Sequence, residues 1–155
     1  MVGRVMGAGT GKHTISMKLA QGSADWMSIL CGVVRDGAPC NEDHALLEST
    51  VGWFMWSHNG SLFGNGKFND DRAGNIKPDQ VLTMQVDMDA GTLKFWVDNK
   101  PHGPGYTSGV TGPLRWAATV ACEGNAVEIV PTVKRVQTKT SAGGGKASLK
   151  EEILA

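Results

Sequence analysis

The segment Gly7-Ala-Gly-Thr-Gly-Lys12-His13-Thr14 carries the residue types of a phosphate cradle, in which backbone amides and a lysine hold an anion while a hydroxyl reaches magnesium. That chemistry needs glycine five residues before the Gly-Lys pair and Ser or Thr directly after it, and those places hold Met6 and His13. Ile15, Met17 and Leu19, alternating with Thr14, Ser16 and Lys18, then have the period of a strand, whereas a phosphate cradle opens a helix. A glycine-rich loop entering a strand is therefore expected. Metal ligation has candidates in Cys31, Cys40, Cys122, His13, His44, His58 and His102, but no two of them show the short spacing of a zinc site. Buried thiols and surface imidazoles are expected, and no cofactor. Asp87-Met-Asp89-Ala-Gly91 resembles the start of a calcium loop, yet its glycine comes one place early and Asp98 stands where the closing glutamate belongs. A hairpin turn accounts for it. Asn69-Asp-Asp-Arg72 could pair two carboxylates for proton transfer, although adjacent acids beside an arginine normally form a solvated ion pair. Asn59-Gly60-Ser61 fits a glycosylation acceptor and equally a tight turn. No residue stands out as a nucleophile, and no catalytic residue is assigned.

The elements that would hold these side chains read as strands. Trp26 to Val34 is an apolar run ending at Asp36-Gly37, Val51 to Trp56 leads into a turn at Ser57-His-Asn-Gly60, and Ser61-Leu-Phe63 starts the return. Leu82, Met84, Val86 and Met88 alternate with polar residues, turn at Asp89-Ala-Gly91, and return as Leu93, Phe95 and Val97. Leu114 to Val120 and Val127 to Val130 complete about eight strands, with the polar stretches 38–49 and 68–79 as connections. Without a long amphipathic helix or an internal repeat, the pattern predicts an all-β sandwich of antiparallel sheets. Trp26, Trp53, Trp96 and Trp116 are expected in its core, while Trp56 suits either core or surface. Several exposed rings on one sheet would mark a sugar-stacking or peptide-gripping face.

Composition narrows the classes. The 155 residues suffice for one real hydrophobic core, 41% hydrophobic content excludes a disordered chain, and 21 glycines fit many tight turns. Fifteen basic residues balance fifteen acidic ones, so no overall field favours nucleic acid or an anionic membrane, and no apolar stretch is long enough for a spanning helix. Residues 1–7 lack the apolar core of a secretion signal, and three scattered cysteines do not make a disulfide scaffold; reduced thiols in an intracellular, cytoplasmic monomer are expected. The domain is expected to span 1–136. Residues 137–155 then form a flexible Gly/Ser/Lys-rich tail, in which Ser148 and Glu151 could cap a short helix through Leu154.

Several of these segments together resemble a SPRY domain. Gly11-Lys-His13 is similar to the family's opening strand motif, Gly32-Val33 and Ala38-Pro39 to its Gly-Val segment and Ala-Pro loop, and Gly52-Trp53 with Asn59-Gly60 to Gly64 to its Trp-Gly-Trp and His-Asn-Gly hairpin. The most specific match runs from Lys77-Pro-Asp-Gln-Val-Leu82 through Val86-Asp-Met-Asp-Ala-Gly-Thr-Leu-Lys-Phe95 to Asp98-Asn-Lys-Pro-His-Gly103, and Pro113 to Val120 is similar to the closing strand. The resemblance covers residues 7–131. It implies a bent, concanavalin-like β-sandwich (jelly roll) that binds a protein or short peptide and does no catalysis, with a carbohydrate-binding sandwich as the alternative. Mapped through the matching motifs, the partner-binding loops would contain Asp36, Asn41, Asp43 and His44 on one side and Cys122, Glu123, Gly124 and Asn125 on the other. The aromatic and small residues usual there are missing, so a different ligand is implied. Thr14-Ile15-Ser16 stands where Tyr-Trp-Glu is usual, and no PRY extension is recognisable before residue 7.

Overall fold

The alternation of Leu82, Met84 and Val86 against Leu93, Phe95 and Val97 sends every apolar side chain of this pair to one face, and the pair sets the frame of the molecule. In the computed structural model, which describes residues 2–20, 29–38, 50–70, 72–120, 124–135 and 151–153, these segments form an antiparallel hairpin with Asp87 opposite Thr92. The strands in chain order are β1 Val2–Met6, β2 Lys12–Ala20, β3 Leu30–Arg35, β4 Gly52–Trp56, β5 Leu62–Gly64, β6 Lys67–Asn69, β7 Val81–Asp87, β8 Thr92–Val97, β9 Lys100–Pro101, β10 Leu114–Thr119, β11 Ala126–Val130, β12 Val133–Arg135 and β13 Glu151–Ile153. One sheet runs β1-β10-β3-β4-β5-β6 and the other β11-β2-β7-β8-β9, with every neighbouring pair antiparallel. The inward residues of both sheets, among them Met17, Leu19, Cys31, Val33, Trp53, Met55, Leu82, Met84, Phe95, Leu114 and Trp116, make one buried core. This is the all-β antiparallel sandwich that the sequence predicts.

A second bond system ties the layers. Tyr106 exchanges both backbone hydrogen bonds with Leu93 of β8, and its hydroxyl donates to the Phe54 carbonyl of β4 at 2.8 Å. The hydroxyl reaches that carbonyl over Gly64, where an added Cβ would lie 2.9 Å from the Tyr106 oxygen. Burial pushes the phenol well above its ordinary titration range.

Four expectations need amendment. The polar stretch from Phe68 begins inside a strand, β6, which the two-residue turn Asn65-Gly66 pairs with β5; three exposed residues leave no alternation to read. β1 was also not visible in the sequence, because a bulge breaks its register against β10 between Val2 and Met6. Trp96 does not join the core. It shares the outward face of β8 with Thr92 and Lys94 and is half-buried there. In place of the short helix expected near the chain end, Glu151–Ile153 is a strand that pairs with β12, setting Glu152 opposite Lys134 and Glu151 opposite Arg135. So short a helix leaves most of its backbone groups unbonded, whereas a strand pair matches them. Trp26 lies outside the described residues.

Candidate interaction surface

Because side chains alternate along a strand, every second residue of the six-stranded sheet must leave the core and face outward. On β3, β4 and β5 those outward residues are apolar or glycine, while β10 adds Arg115 and Thr119 beside Ala117. Leu30, Val34, Phe54 and Ala117 form a second buried cluster, against which Ala38, Trp56 and Phe63 pack. The register aligns Ala117, Gly32, Phe54, Phe63 and Phe68 in one row across five strands. Exposure rises along it from 0% at Phe54 through an intermediate Phe63 to 58% at Phe68 on the edge strand. Local sequence explains how the row is built. Gly52 leaves the space that the Phe54 ring occupies, since a Cβ there would meet the ring at 2.6 Å, and Gly32 lets β3 and β4 approach closely.

The rings touch one another. Phe63 and Phe68 lie 4.7 Å apart between centroids, Trp56 and Phe63 5.7 Å in an edge-on arrangement, and Trp56 and His58 5.6 Å. Gly64 and Lys67 flank the two-residue turn and form the hydrogen-bonded pair, so the backbone N–H and C=O of Phe68 point away from β5 on what is, among the described residues, the outer strand of the sheet. An exposed aromatic ring, a tilted ring behind it and the last strand of the sheet among the described residues thus coincide at one place.

The loop residues expected from the sequence are distributed differently. Asp36 is exposed just past β3, its backbone N–H bonded to the Pro113 carbonyl and its carboxylate accepting from Arg115 Nε. Gly124, exposed with φ +88, and half-buried Asn125 come after the other end of β10, where Thr119 pairs with Leu30. The length of β10 separates the two ends by about 17 Å. The described parts of the two loops are therefore not brought together into one rim. Asn41, Asp43, His44, Cys122 and Glu123 lie outside the described residues. Ala38, two residues past Asp36, packs on the outward cluster and brings the start of its loop onto the same face as Trp56 and Phe63.

The reactive-looking motifs resolve as structure. His13 sits in β2, with no helix after it, and its ring bonds the Thr10 hydroxyl at 2.7 Å. The Asp87 carboxylate accepts from the backbone of Asp89 and Ala90 and so closes the hairpin, and these bonds hold it below the usual carboxylate range. Asp70 pairs with Arg72 at 2.9 Å, which lowers the acid in the same way. The Asn59 side chain accepts from the Ser61 N–H and so closes a turn, and Ser61 is fully buried. Cys31 is a free, buried thiol that burial pushes up to about 12. Among the described residues, no three His, Cys, Asp or Glu side chains could hold a metal ion. The aromatic row escaped sequence reading because Phe54 and Phe63 look like ordinary core residues, and Trp56 suits either place, until the register shows which face they take.

Against solved structures, the chain resembles the SPRY domain of human HERC1, with a TM-score of 0.67 and 17% identity over 82% of this chain and 77% of that one. It also resembles the PSpry domain of TRIM65, with a TM-score of 0.61 and 16% identity over 82% of this chain and 67% of that one. No family model matches the sequence, and no curated protein matches it. At these identities the likeness establishes the fold: the protein is a SPRY-like β-sandwich.

Proposed function

We propose that this chain is a non-catalytic module that binds a protein partner through a short peptide segment, received on the outward face of its six-stranded sheet. The observation that supports this reading is the register-aligned row Phe54, Phe63 and Phe68, which runs from a buried cluster into solvent with Trp56 beside it. Phe68, exposed at the end of the row and backed by the half-buried Phe63 and Trp56, offers apolar surface that a partner can cover. The fold agrees, since SPRY domains are generally interaction modules. Asp36, Asn41, Asp43 and His44 remain proposed as further partner contacts, and Cys122, Glu123, Gly124 and Asn125 as lesser ones, because the described Gly124 and Asn125 come after the far end of β10. Sugar stacking on a shared plane is less well supported, because Trp56 and Trp96 face outward from different sheets.

Selection of a phage-displayed random peptide library on the immobilised protein tests this reading. Selected peptides should bind Phe68→Ala at least about tenfold more weakly, the loss of one well-packed anchor, and should bind Trp96→Ala unchanged. Because Phe68 is mostly in solvent, the thermal midpoint of Phe68→Ala should stay close to that of the parent. Peptides that bind Phe68→Ala as well as the parent would refute the site.

A further inference from the structure

The chain contains two Asn-Gly dipeptides, Asn59-Gly60 and Asn65-Gly66, identical as chemistry and both in turns. An asparagine before glycine can react with its own backbone. The following amide nitrogen attacks the side-chain carbonyl carbon and loses its proton to solvent, the bond from that carbon to Nδ2 breaks, and ammonia leaves a five-membered succinimide. Water then opens the ring at either carbonyl, yielding aspartate or isoaspartate, with no oxidant or reductant involved. The reaction needs a free side chain, an amide nitrogen open to solvent, and a backbone able to bring the two together.

The structure separates the two sites on each requirement. At Asn59 the side-chain oxygen accepts from Ser61 N–H at 2.9 Å, the Gly60 N–H donates to the Trp56 carbonyl at 2.8 Å, and the Asn59 carbonyl accepts from Gly74 N–H at 2.9 Å. Gly60 is buried, and an atom added at its Cβ position would stand 2.7 Å from the Ala73 backbone, so this turn has little room to deform. Asn65 and Gly66 are both exposed. Among the described residues, the only hydrogen bond of this dipeptide runs from Asn65 N–H to the Gly52 carbonyl, leaving the Asn65 side chain and the Gly66 nitrogen without partners there. No described atom stands closer than 3.6 Å to a Cβ position at Gly66.

We infer that Asn65 is a site of spontaneous deamidation and isoaspartate formation in the folded protein, and that Asn59 is protected by its fold. Isoaspartate at position 65 is a substrate for S-adenosylmethionine-dependent isoaspartyl methyltransferases. It also inserts a main-chain carbon into the two-residue turn that pairs β5 with β6, so the modification breaks the register that carries Phe68. That last consequence bears on binding only if the outward aromatic face is the partner site, whereas the modification itself does not depend on that reading.

The test is to age the intact protein in warm, mildly alkaline buffer and to map both dipeptides by peptide mass spectrometry, with methyl transfer from labelled S-adenosylmethionine as a second readout. Residue 65 should convert at least about tenfold faster than residue 59, because conversion at 59 must wait for local opening. In urea the two should convert at similar rates. Asn65→Gly, which keeps a turn-compatible residue at this positive φ, should abolish most methyl acceptance. Equal conversion of the two sites in the folded protein would overturn the inference, as would an Asn65 that stays intact while the urea-unfolded chain reacts. Methyl acceptance unchanged in Asn65→Gly would do the same.

Discussion

Removing one oxygen at Tyr106 should cost the protein little, and adding one carbon at Gly64 should cost it more. In Tyr106→Phe the bond to the Phe54 carbonyl disappears, but that carbonyl is not orphaned. Trp56 N–H donates to Ser61 O, so the antiparallel alternation makes Phe54 and Phe63 a hydrogen-bonded pair two residues along, and the Phe63 N–H still serves the same oxygen. Only the net value of a typical hydrogen bond is lost, about 1 kcal/mol, without the further penalty of an unsatisfied group. With a urea slope near 2 kcal/mol/M, the unfolding midpoint should fall by roughly 0.5 M. In Gly64→Ala the new methyl would stand 2.9 Å from the Tyr106 oxygen, 2.9 Å from Trp53 Cα and 3.0 Å from the Gly52 carbonyl oxygen. Two of those three neighbours are backbone and cannot move aside, so about 1–3 kcal/mol is expected. Combining the substitutions removes one of the three clashes. The double variant should therefore be more stable than the sum of the singles by roughly 0.5 kcal/mol or more. Urea unfolding of the four proteins reads all of this. A loss above about 3 kcal/mol for Tyr106→Phe would show that the carbonyl had no second partner, and strict additivity would show that the hydroxyl does not lie against Gly64.

Two predictions concern pH. The Asp87 carboxylate is held below its ordinary 3.8, chiefly by the Ala90 N–H, so its contribution is present above that value and lost as pH falls through the lower folded-state value. Asp87→Asn should destabilise the protein at neutral pH in thermal melts, and the difference should vanish in strong acid. His102 behaves oppositely. Burial lowers its affinity for a proton below the ordinary 6.5 while the unfolded chain still takes one up, so stability should drop as pH falls below about 6.5 and level off below the folded-state value. The Nε2 of His102 is buried without a hydrogen-bond partner among the described residues, consistent with a neutral ring. In His102→Asn the part of the melting curve's pH dependence just below pH 6.5 should disappear, and an unchanged profile would refute the assignment.

The sandwich was legible because strands such as β7 and β8 spell their buried face in strict alternation, and because Asp89-Ala-Gly91 forces the turn between them. The same logic failed at the candidate surface. Residues on β4 are apolar on both faces, so Gly52 to Trp56 shows no period, and only the register to β3 and β5 reveals that Phe54 and Trp56 turn outward while Trp53 and Met55 turn in. Trp96 misled for a related reason: aromatic residues favour strands whichever way they point. Asp36 and Asn125 were joined on motif order alone, and the six residues of β10 that part them become visible only in the paired sheet.

Whether a partner segment meets the outward aromatic row of the six-stranded sheet is measured most directly by titrating the isotope-labelled protein with a peptide taken from the phage selection. Backbone amide and aromatic chemical shifts report where the peptide lands. The largest shifts should cluster at Trp56, Phe63, Gly66 and Phe68, while Thr83 and Trp96 on the opposite sheet stay still. Shifts centred on Gly124 and Asn125, or on the Trp96 face, would contradict this site.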